Sequence, residues 1–354
     1  MDSTYVGSYG RLKVYGSDFL DRGFMDGIAS MDRAQDVSSS LYSTVYKEDY
    51  DALSAIYKDP ELTQMAINRH LMRMNKLALF ACPPMAKNAV LSYLSKWDVE
   101  NIKTVISSKF LSHSVGEAEV FLLSFRNVPL GMIGSLLVPE DYKNMMAMSS
   151  IEAIVNYLTR FGYGSYMMQH MEDYRKTGDV SPVLYSLDRY YYSNLIENVK
   201  FYNGDEGPVL GYIRSEIDMN NLTVILKAKS LDLDYGRIAS NLVPYGNIPV
   251  EKLSEVYSSG NVSGIVDGLR QYFDLEIPKK AFLEDGNVYH FYAAIKKAIY
   301  IKYIDSLSSL PLSLDSLFYF ILRAESERNT IRAIYLSKIY GLGKDRIYDL
   351  SDLV

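Results

Sequence analysis

The sequence predicts an all-α protein built from three homologous helical units. Three observations carry that expectation. Apolar residues recur at helical spacing almost throughout the chain, alternating strand patterns are scarce, and one polar-apolar motif returns at intervals close to a third of the chain.

The bounds come first. A chain of 354 residues accommodates about two to three domains of ~100–200 residues each, and one of this size buries a large core without staples. Hydrophobic residues make up 48% and charged residues 23%, which is a globular composition. The 37 Lys and Arg against 43 Asp and Glu leave a net charge of −6, so nothing draws the chain over distance to nucleic acid or to an anionic membrane surface. The single cysteine, Cys82, rules out an intrachain disulfide, and one thiol beside four histidines makes a poor zinc set. The opening Met1-Asp2-Ser3-Thr4-Tyr5 lacks a basic region followed by an apolar one, so no secretory signal is expected. No apolar run approaches the ~18 residues of a membrane span.

The elements follow in order. Residues 61–81 place Leu62, Met65, Leu71, Met74, Leu77 and Phe80 on one helical stripe. Pro83-Pro84 stops that helix, because proline lacks the N–H and restricts its predecessor; Pro84 then opens the next. That next helix carries Val90, Leu91, Leu94, Trp97, Ile102, Val105 and Ile106. Further helices are expected over about 208–230 and 311–340, and loops over 176–182, 203–208, 258–263, 275–287 and 305–313. Leu222-Thr-Val-Ile-Leu226 is the best strand candidate, but it sits inside a helical period.

The repeat is the informative feature. Asp98-x-x-Asn101-Ile102-x-x-Val105-Ile106-x-x-Lys109 recurs as Asp218-x-x-Asn221-Leu222-x-x-Ile225-Leu226-x-x-Lys229, and again as Glu327-x-x-Thr330-Ile331-x-x-Ile334-Tyr335-x-x-Lys338. The starts lie 120 and 109 residues apart, and a third of the chain is 118. Asn127-Val-Pro129 with Ile133 matches Asn247-Ile-Pro249 with Leu253 at 120 residues. Ile154-Val155 with Leu158 matches Ile265-Val266 with Leu269 at 111, which implies a nine-residue deletion between the blocks. Val37 and Leu41 followed by Tyr46 resemble Ile154 and Leu158 followed by Tyr163. The units are therefore drawn at 1–97, 98–217 and 218–326. Residues 327–354 form a C-terminal helix with a truncated fourth motif copy that closes on a neighbouring unit.

In each copy the acid, the Asn or Thr and the Lys lie near one helix face, with the apolar positions turned elsewhere. That arrangement suits helix docking with a polar seam that fixes register. A catalytic acid–lysine pair would have to converge, and eleven helical residues keep Asp98 and Lys109 ~16 Å apart. Other motifs fail on inspection. Gly341-Leu-Gly343-Lys344-Asp345 lacks the first glycine and the hydroxyl of a phosphate loop, and reads as a helix cap. Phe161-Gly162-Tyr-Gly164 follows no strand and reads as a helix terminator, and Gly260 to Gly264 has the wrong spacing for a nucleophile elbow. His70, His113, His170 and His290 are scattered, Cys82 reads as an inert buried thiol, and Glu117/Glu119 and Glu325/Glu327 read as solvated charge. The 31 tyrosines and 15 methionines fit half-buried helical positions. Met145, Met146, Met148, Met167, Met168 and Met171 are either core or a contact lining. No cofactor is expected.

Several stretches resemble the C subunit of the archaeal and vacuolar-type (A-type/V-type) rotary ATP synthases, whose eukaryotic counterpart is the d subunit of the V-ATPase. Tyr5 through Arg11-Leu12-Lys13 is similar to the family's opening, and Leu41-Tyr-Ser-Thr44-Val-Tyr46 resembles its Leu-x-x-Thr-x-Tyr. Leu187-Asp188-Arg189-Tyr190-Tyr191 and Glu216-Ile-Asp218-x-x-Asn221-Leu222 have counterparts in order. Glu325-Ser-Glu327-x-x-Thr330-Ile331-Arg332 is similar to its C-terminal motif, with Thr330 in place of Asn and Asn329 beside it. The resemblance implies three units set as a funnel or cup with pseudo-threefold symmetry. It also implies a non-catalytic central-stalk part that couples shaft subunits to the membrane proteolipid ring. Such a part is a peripheral protein at the cytoplasmic face, a monomer in isolation and single-copy in its complex, without lipid insertion or nucleic acid. Ion-driven torque needs rigid seams between units, and Asp98, Asn101, Asp218, Asn221 and Glu327 are expected there. The alternative is a helical-repeat adaptor for other soluble partners, although solenoid periods of about 20–50 residues are shorter than this one.

Overall fold

A pair of short helices, the first of them nine residues long, occurs three times. The structure is a computed structural model that describes residues 4–111, 137–203, 207–258 and 260–342. The first pair is α2 (Arg22–Ser30) and α3 (Ala34–Tyr42), after the N-terminal α1 (Thr4–Tyr15). α4 (Lys47–Leu53) and the long α5 (Glu61–Ala81) follow, then α6 (Lys87–Leu94) and α7 (Lys96–Phe110). The second pair is α8 (Pro139–Ala147) and α9 (Ile151–Leu158). It is succeeded by α10 (Tyr163–Met168), α11 (Met171–Thr177), the long α12 (Ser181–Asn203) and α13 (Pro208–Ser230). A single-turn α14 (Tyr235–Ile238) leads to the third pair, α15 (Val250–Ser258) and α16 (Val262–Gly268). α17 (Glu276–Asp285), α18 (Tyr289–Ser308) and α19 (Leu314–Ile339) complete the order. Among the described residues there is no strand, so the fold is all-α.

Local chemistry starts these helices. The Phe24 N–H donates to Asp21 Oδ1 at 2.7 Å, the Ala153 N–H to Ser150 Oγ at 3.2 Å, and the Gly264 N–H to Asn261 Oδ1 at 3.0 Å. Each satisfies an amide that the first turn leaves free. Glycine ends two helical segments as expected: Gly162 and Gly341 take φ of 89° and 65°, the left-handed region.

The described residues fall into two compact units. One gathers residues up to Trp97 together with those from Ile304 onward; the other holds residues from Asp98 to Tyr303. The first has a core in which Ile331, Ile334 and Tyr335 of α19 are enclosed with Ile28, Val37, Leu41, Tyr50, Leu53 and Ile67 of α2 to α5. The chain's last motif helix is thus part of the bundle at its beginning. In the second unit the equivalent apolar positions, Ile102, Val105, Ile106, Leu222, Ile225 and Leu226, are all at most 2% exposed.

Several expectations need correction. The helix expected from Pro84 onward is a short 3-10 turn, α6 and α7, with a break at Ser95. The loop expected at 275–287 contains α17, which buries none of its side chains and so shows no apolar stripe to read. Leu222 to Leu226 is helical, inside α13. Glu325 and Glu327 are not solvated: Glu325 pairs with Lys96 at 2.6 Å, and Glu327 is 7% exposed. α15 matches α8, and α16 matches α9, at one spacing of 111 residues, so the nine-residue difference falls between α7 and α8. Asn127, Pro129 and Ile133 lie outside the described residues, as do His113, Glu117, Glu119 and Lys344-Asp345. Of the six methionines, Met145, Met146, Met167 and Met171 are core, and Met168 is 38% exposed.

Candidate functional site

The motif lysines show what the repeat does. Lys338 Nζ donates to the Ala29 carbonyl at 2.8 Å, Lys109 to Met146 at 3.2 Å, and Lys229 to Tyr257 at 3.1 Å. Those three carbonyls belong to the penultimate residues of α2, α8 and α15. The last carbonyls of a helix have no partner within it and carry its negative end, so an ammonium there satisfies a bond and complements the dipole.

The motif acids meet the same short helices nearer their beginnings. Glu327 Oε2 accepts from the Leu20 N–H at 2.7 Å, two residues ahead of α2. Asp218 Oδ1 accepts from the Ile248 N–H at 2.9 Å, two residues ahead of α15. Asp98 Oδ1 accepts from the Tyr142 hydroxyl of α8 at 2.8 Å. The motif helix therefore runs alongside a nine-residue helix, acid toward its start and lysine at its end. Eleven residues of separation, ~16 Å, bracket a helix of ~13.5 Å. The spacing read in the sequence is the length of the helix it grips.

Each acid is deeply buried: Asp98 is 0% exposed, Asp218 2% and Glu327 7%. Burial pushes the Asp218 and Glu327 carboxyls above their ordinary range, against the N–H donors and nearby cations that pull them down. The surroundings differ. Glu327 also accepts from the Tyr46 hydroxyl at 2.8 Å, and the Tyr46 ring stacks on His70 with centroids 4.0 Å apart. His70 Nδ1 lies 3.0 Å from the fully buried Asp49, which Arg69 also reaches at 3.1 Å. Asp218 is wrapped by main chain: Oδ2 accepts from the Asn247 N–H at 3.1 Å and from Asn247 Nδ2 at 2.8 Å. Gly246 is required there, since a Cβ would collide with Asp218 Oδ1.

The amide positions add a second grip. Asn221 pairs with the main chain of Val243 twice, Nδ2 to its carbonyl at 2.8 Å and Oδ1 from its N–H at 2.8 Å. Asn101, 1% exposed, hydrogen-bonds the Tyr142 hydroxyl. Thr330 is 3% exposed, so it holds the buried position itself, while Asn329 accepts from Arg328 Nη1 at 3.1 Å.

All five residues expected at seams are thus buried and hydrogen-bonded. The contacts of Asp98, Asp218 and Asn221 named here lie within the stretch that each motif opens; Glu327 reaches instead to the other end of the chain. Sequence reasoning missed Asp49, His70, Tyr142, Val243 and Gly246 as partners. Tyr46 carries a signal in its repeat with Tyr163, and Asn247 and Ile248 carry one in the Asn247-Ile-Pro249 block. Burial pushes the Cys82 thiol up to about 12, which makes it a poor nucleophile. Among the described residues no group of three His, Cys, Asp or Glu is placed to hold a metal, and no helix is long and apolar enough to cross a membrane.

Fold and hydrogen bonds together define an all-helical protein in which one docking device is used three times. Residues 8–350 match the family model of the ATP synthase (C/AC39) subunit, and the chain belongs to that family. It is 57% identical over 350 residues to the C subunit of the A-type ATP synthase of Thermoplasma volcanium, covering 99% of this chain and 98% of that one. To the same protein of Thermoplasma acidophilum it is 58% identical over 345 residues, covering 98% and 97%. The counterpart in Methanocaldococcus jannaschii is 25% identical over 297 residues, covering 83% and 72%.

Proposed function

We propose that the chain is the non-catalytic central-stalk component of an A/V-type rotary ATP synthase. In this reading it is the socket between the shaft subunits and the membrane proteolipid ring, in ion-driven ATP synthesis or ATP-driven ion pumping. It sits at the cytoplasmic face as a peripheral protein, one copy per complex, and corresponds to the d subunit of the V-ATPase. The observation that carries the reading is the threefold use of one docking device, the last copy returning to the N-terminal bundle. A linear array has two free ends; a chain whose last motif completes its first bundle suits three units closed about an axis as a funnel.

The energetics favour the same design. One charge crossing 100 mV releases about 2.3 kcal/mol, and several per catalytic event approach a domain's whole stability of about 5–15 kcal/mol. A spacer under that load needs helices pinned in register. In this reading Asp98, Asn101, Asp218, Asn221 and Glu327 are seam residues because they fix the helix at which one unit leads into the next, with partners in the unit that the helix opens or, for Glu327, in the N-terminal bundle. The test is direct binding of the purified chain to the detergent-solubilised proteolipid ring and to the isolated shaft subunits. Binding to both is expected, and binding to neither would return the chain to the adaptor class.

A further inference from the structure

Three tyrosines of this chain hold a carboxylate jointly with a cation that follows closely in sequence and lies over their ring. The Tyr42 hydroxyl and Lys47 Nζ reach Asp51 at 2.9 and 2.5 Å, with the ammonium 5.0 Å from the ring centroid. Tyr93 and Lys96 reach Glu325 at 3.1 and 2.6 Å, with the ammonium at 4.1 Å. Tyr157 and Arg160 reach Asp141 at 2.6 and 3.0 Å, with the guanidinium at 3.9 Å. The negative face of the ring steadies the cation, and hydroxyl and cation then donate to one acceptor.

Two more such pairs have no acid. On α1, Lys13 Nζ lies 5.8 Å from the centroid of the Tyr9 ring. On α19, Arg323 Nη1 stands 3.5 Å from the Tyr319 hydroxyl, with its guanidinium 4.9 Å from the Phe19 ring centroid. Both pairs line a single cavity of about 520 Å³, within the ~300–1,000 Å³ usual for a binding cleft. Phe19 and Phe320, their ring centroids 5.1 Å apart, give it an aromatic wall. All of these residues belong to the compact unit that holds the N-terminal bundle. Among the described residues no Asp or Glu lines the cavity, and no carboxylate comes within 4.0 Å of either cation. The charge of Arg323 also acts on Glu327, but the oxygens of that acid are bonded by the Tyr46 hydroxyl and the Leu20 N–H.

We propose that this cleft binds an aspartate or glutamate side chain of a soluble shaft subunit, clamped between Tyr9 with Lys13 and Tyr319 with Arg323. The inference rests on the assembly reading above. Charge chooses between the two partners of that reading. Loops that a membrane protein exposes at the cytoplasmic face are rich in lysine and arginine, and two cations repel them. An acidic side chain therefore comes from the shaft. The chain itself carries a net charge of −6, so a cationic cleft is a local exception that fixes where an acidic segment docks.

Two variants of the full chain test it. Lys13→Glu reverses the charge of an exposed side chain, and Arg323→Gln removes the second charge. Affinity is measured for the isolated shaft subunits and for the solubilised ring, at low and at raised salt, alongside the melting temperature. Lys13→Glu is expected to keep the wild-type melting temperature and to weaken shaft binding about tenfold or more, since like charges then face each other. Arg323→Gln should weaken it as well, and salt should weaken the wild-type chain more than either variant. Ring binding should stay at its wild-type value in both. Wild-type shaft affinity in either variant, or a loss confined to the ring, overturns the clamp and leaves the assembly reading standing. A wild-type chain that binds neither partner overturns the assembly reading, and the clamp with it. A photocrosslinker in place of Tyr9 in the assembled complex should capture a shaft segment that contains aspartate or glutamate. Capture of a segment without an acid, of the ring, or of this chain itself overturns the assignment of the occupant.

Discussion

A carboxyl group buried with two donors sits between opposing demands, and Glu327 shows which wins. Burial raises it above the ordinary 4.5, while His70, the Tyr46 hydroxyl, the Leu20 N–H and Arg323 pull the other way. An acid whose folded value lies above its unfolded one binds its proton more readily when folded. Its contribution to stability is therefore fully present below pH 4.5 and is lost as pH rises through the folded value. The melting temperature should fall across that interval. Glu327→Gln should flatten the fall and cost about 1 kcal/mol at neutral pH, because an amide oxygen replaces only one of the two accepting oxygens. Thermal melts of both proteins from about pH 4 to pH 7 check this. An unchanged pH profile in the variant would remove Glu327 as its source.

Helix α19 belongs to the bundle at the other end of the chain. Its Ile331, Ile334 and Tyr335 are buried there, and Lys338 and Glu327 hold the end and the start of α2. Chain order makes this copy look like a truncated fourth start. In the structure it is the third motif helix, and α2 to α5 are the bundle it serves. Ile334→Ala should cost about 2–5 kcal/mol, the range for emptying a buried aliphatic site. Amide exchange should speed up in α2 to α5 and in α19, and stay at its wild-type rate in α8 to α16. Uniform acceleration along the chain would contradict this docking. Copies of one element can differ in dress and still dock alike. α2, α8 and α15 share their length and the penultimate carbonyl that a lysine caps, although that residue is Ala29, Met146 and Tyr257 in turn.

The whole molecule is divided unevenly by its own topology. The motif helices α7 and α13 meet their short helices within residues 98–303, whereas the N-terminal bundle needs residues from beyond 303. A fragment from Asp98 to Tyr303 should therefore melt cooperatively with helical circular dichroism. Residues 1–97 alone should not, lacking Ile331, Ile334 and the α19 caps. A stable 1–97 fragment would show that α19 is dispensable to its core.

The sequence by itself determined the helical class, the three motif copies, the acid-to-lysine spacing and the family. Each is written locally: apolar period, caps and motif spacing depend on residues within a turn or two, or on order along the chain. Long α5, α13 and α19 were legible because an amphipathic or apolar period persists over five or more turns. α17 was not, because a helix that buries nothing has no period to read. Only the tertiary structure decided that the last motif helix completes the first bundle, and that a tyrosine, two main-chain amides or an asparagine side chain satisfies each buried acid. Those choices are made between residues as far apart as Leu20 and Glu327, where burial and the demand for a hydrogen-bond partner select the neighbour and chain order carries no trace of it.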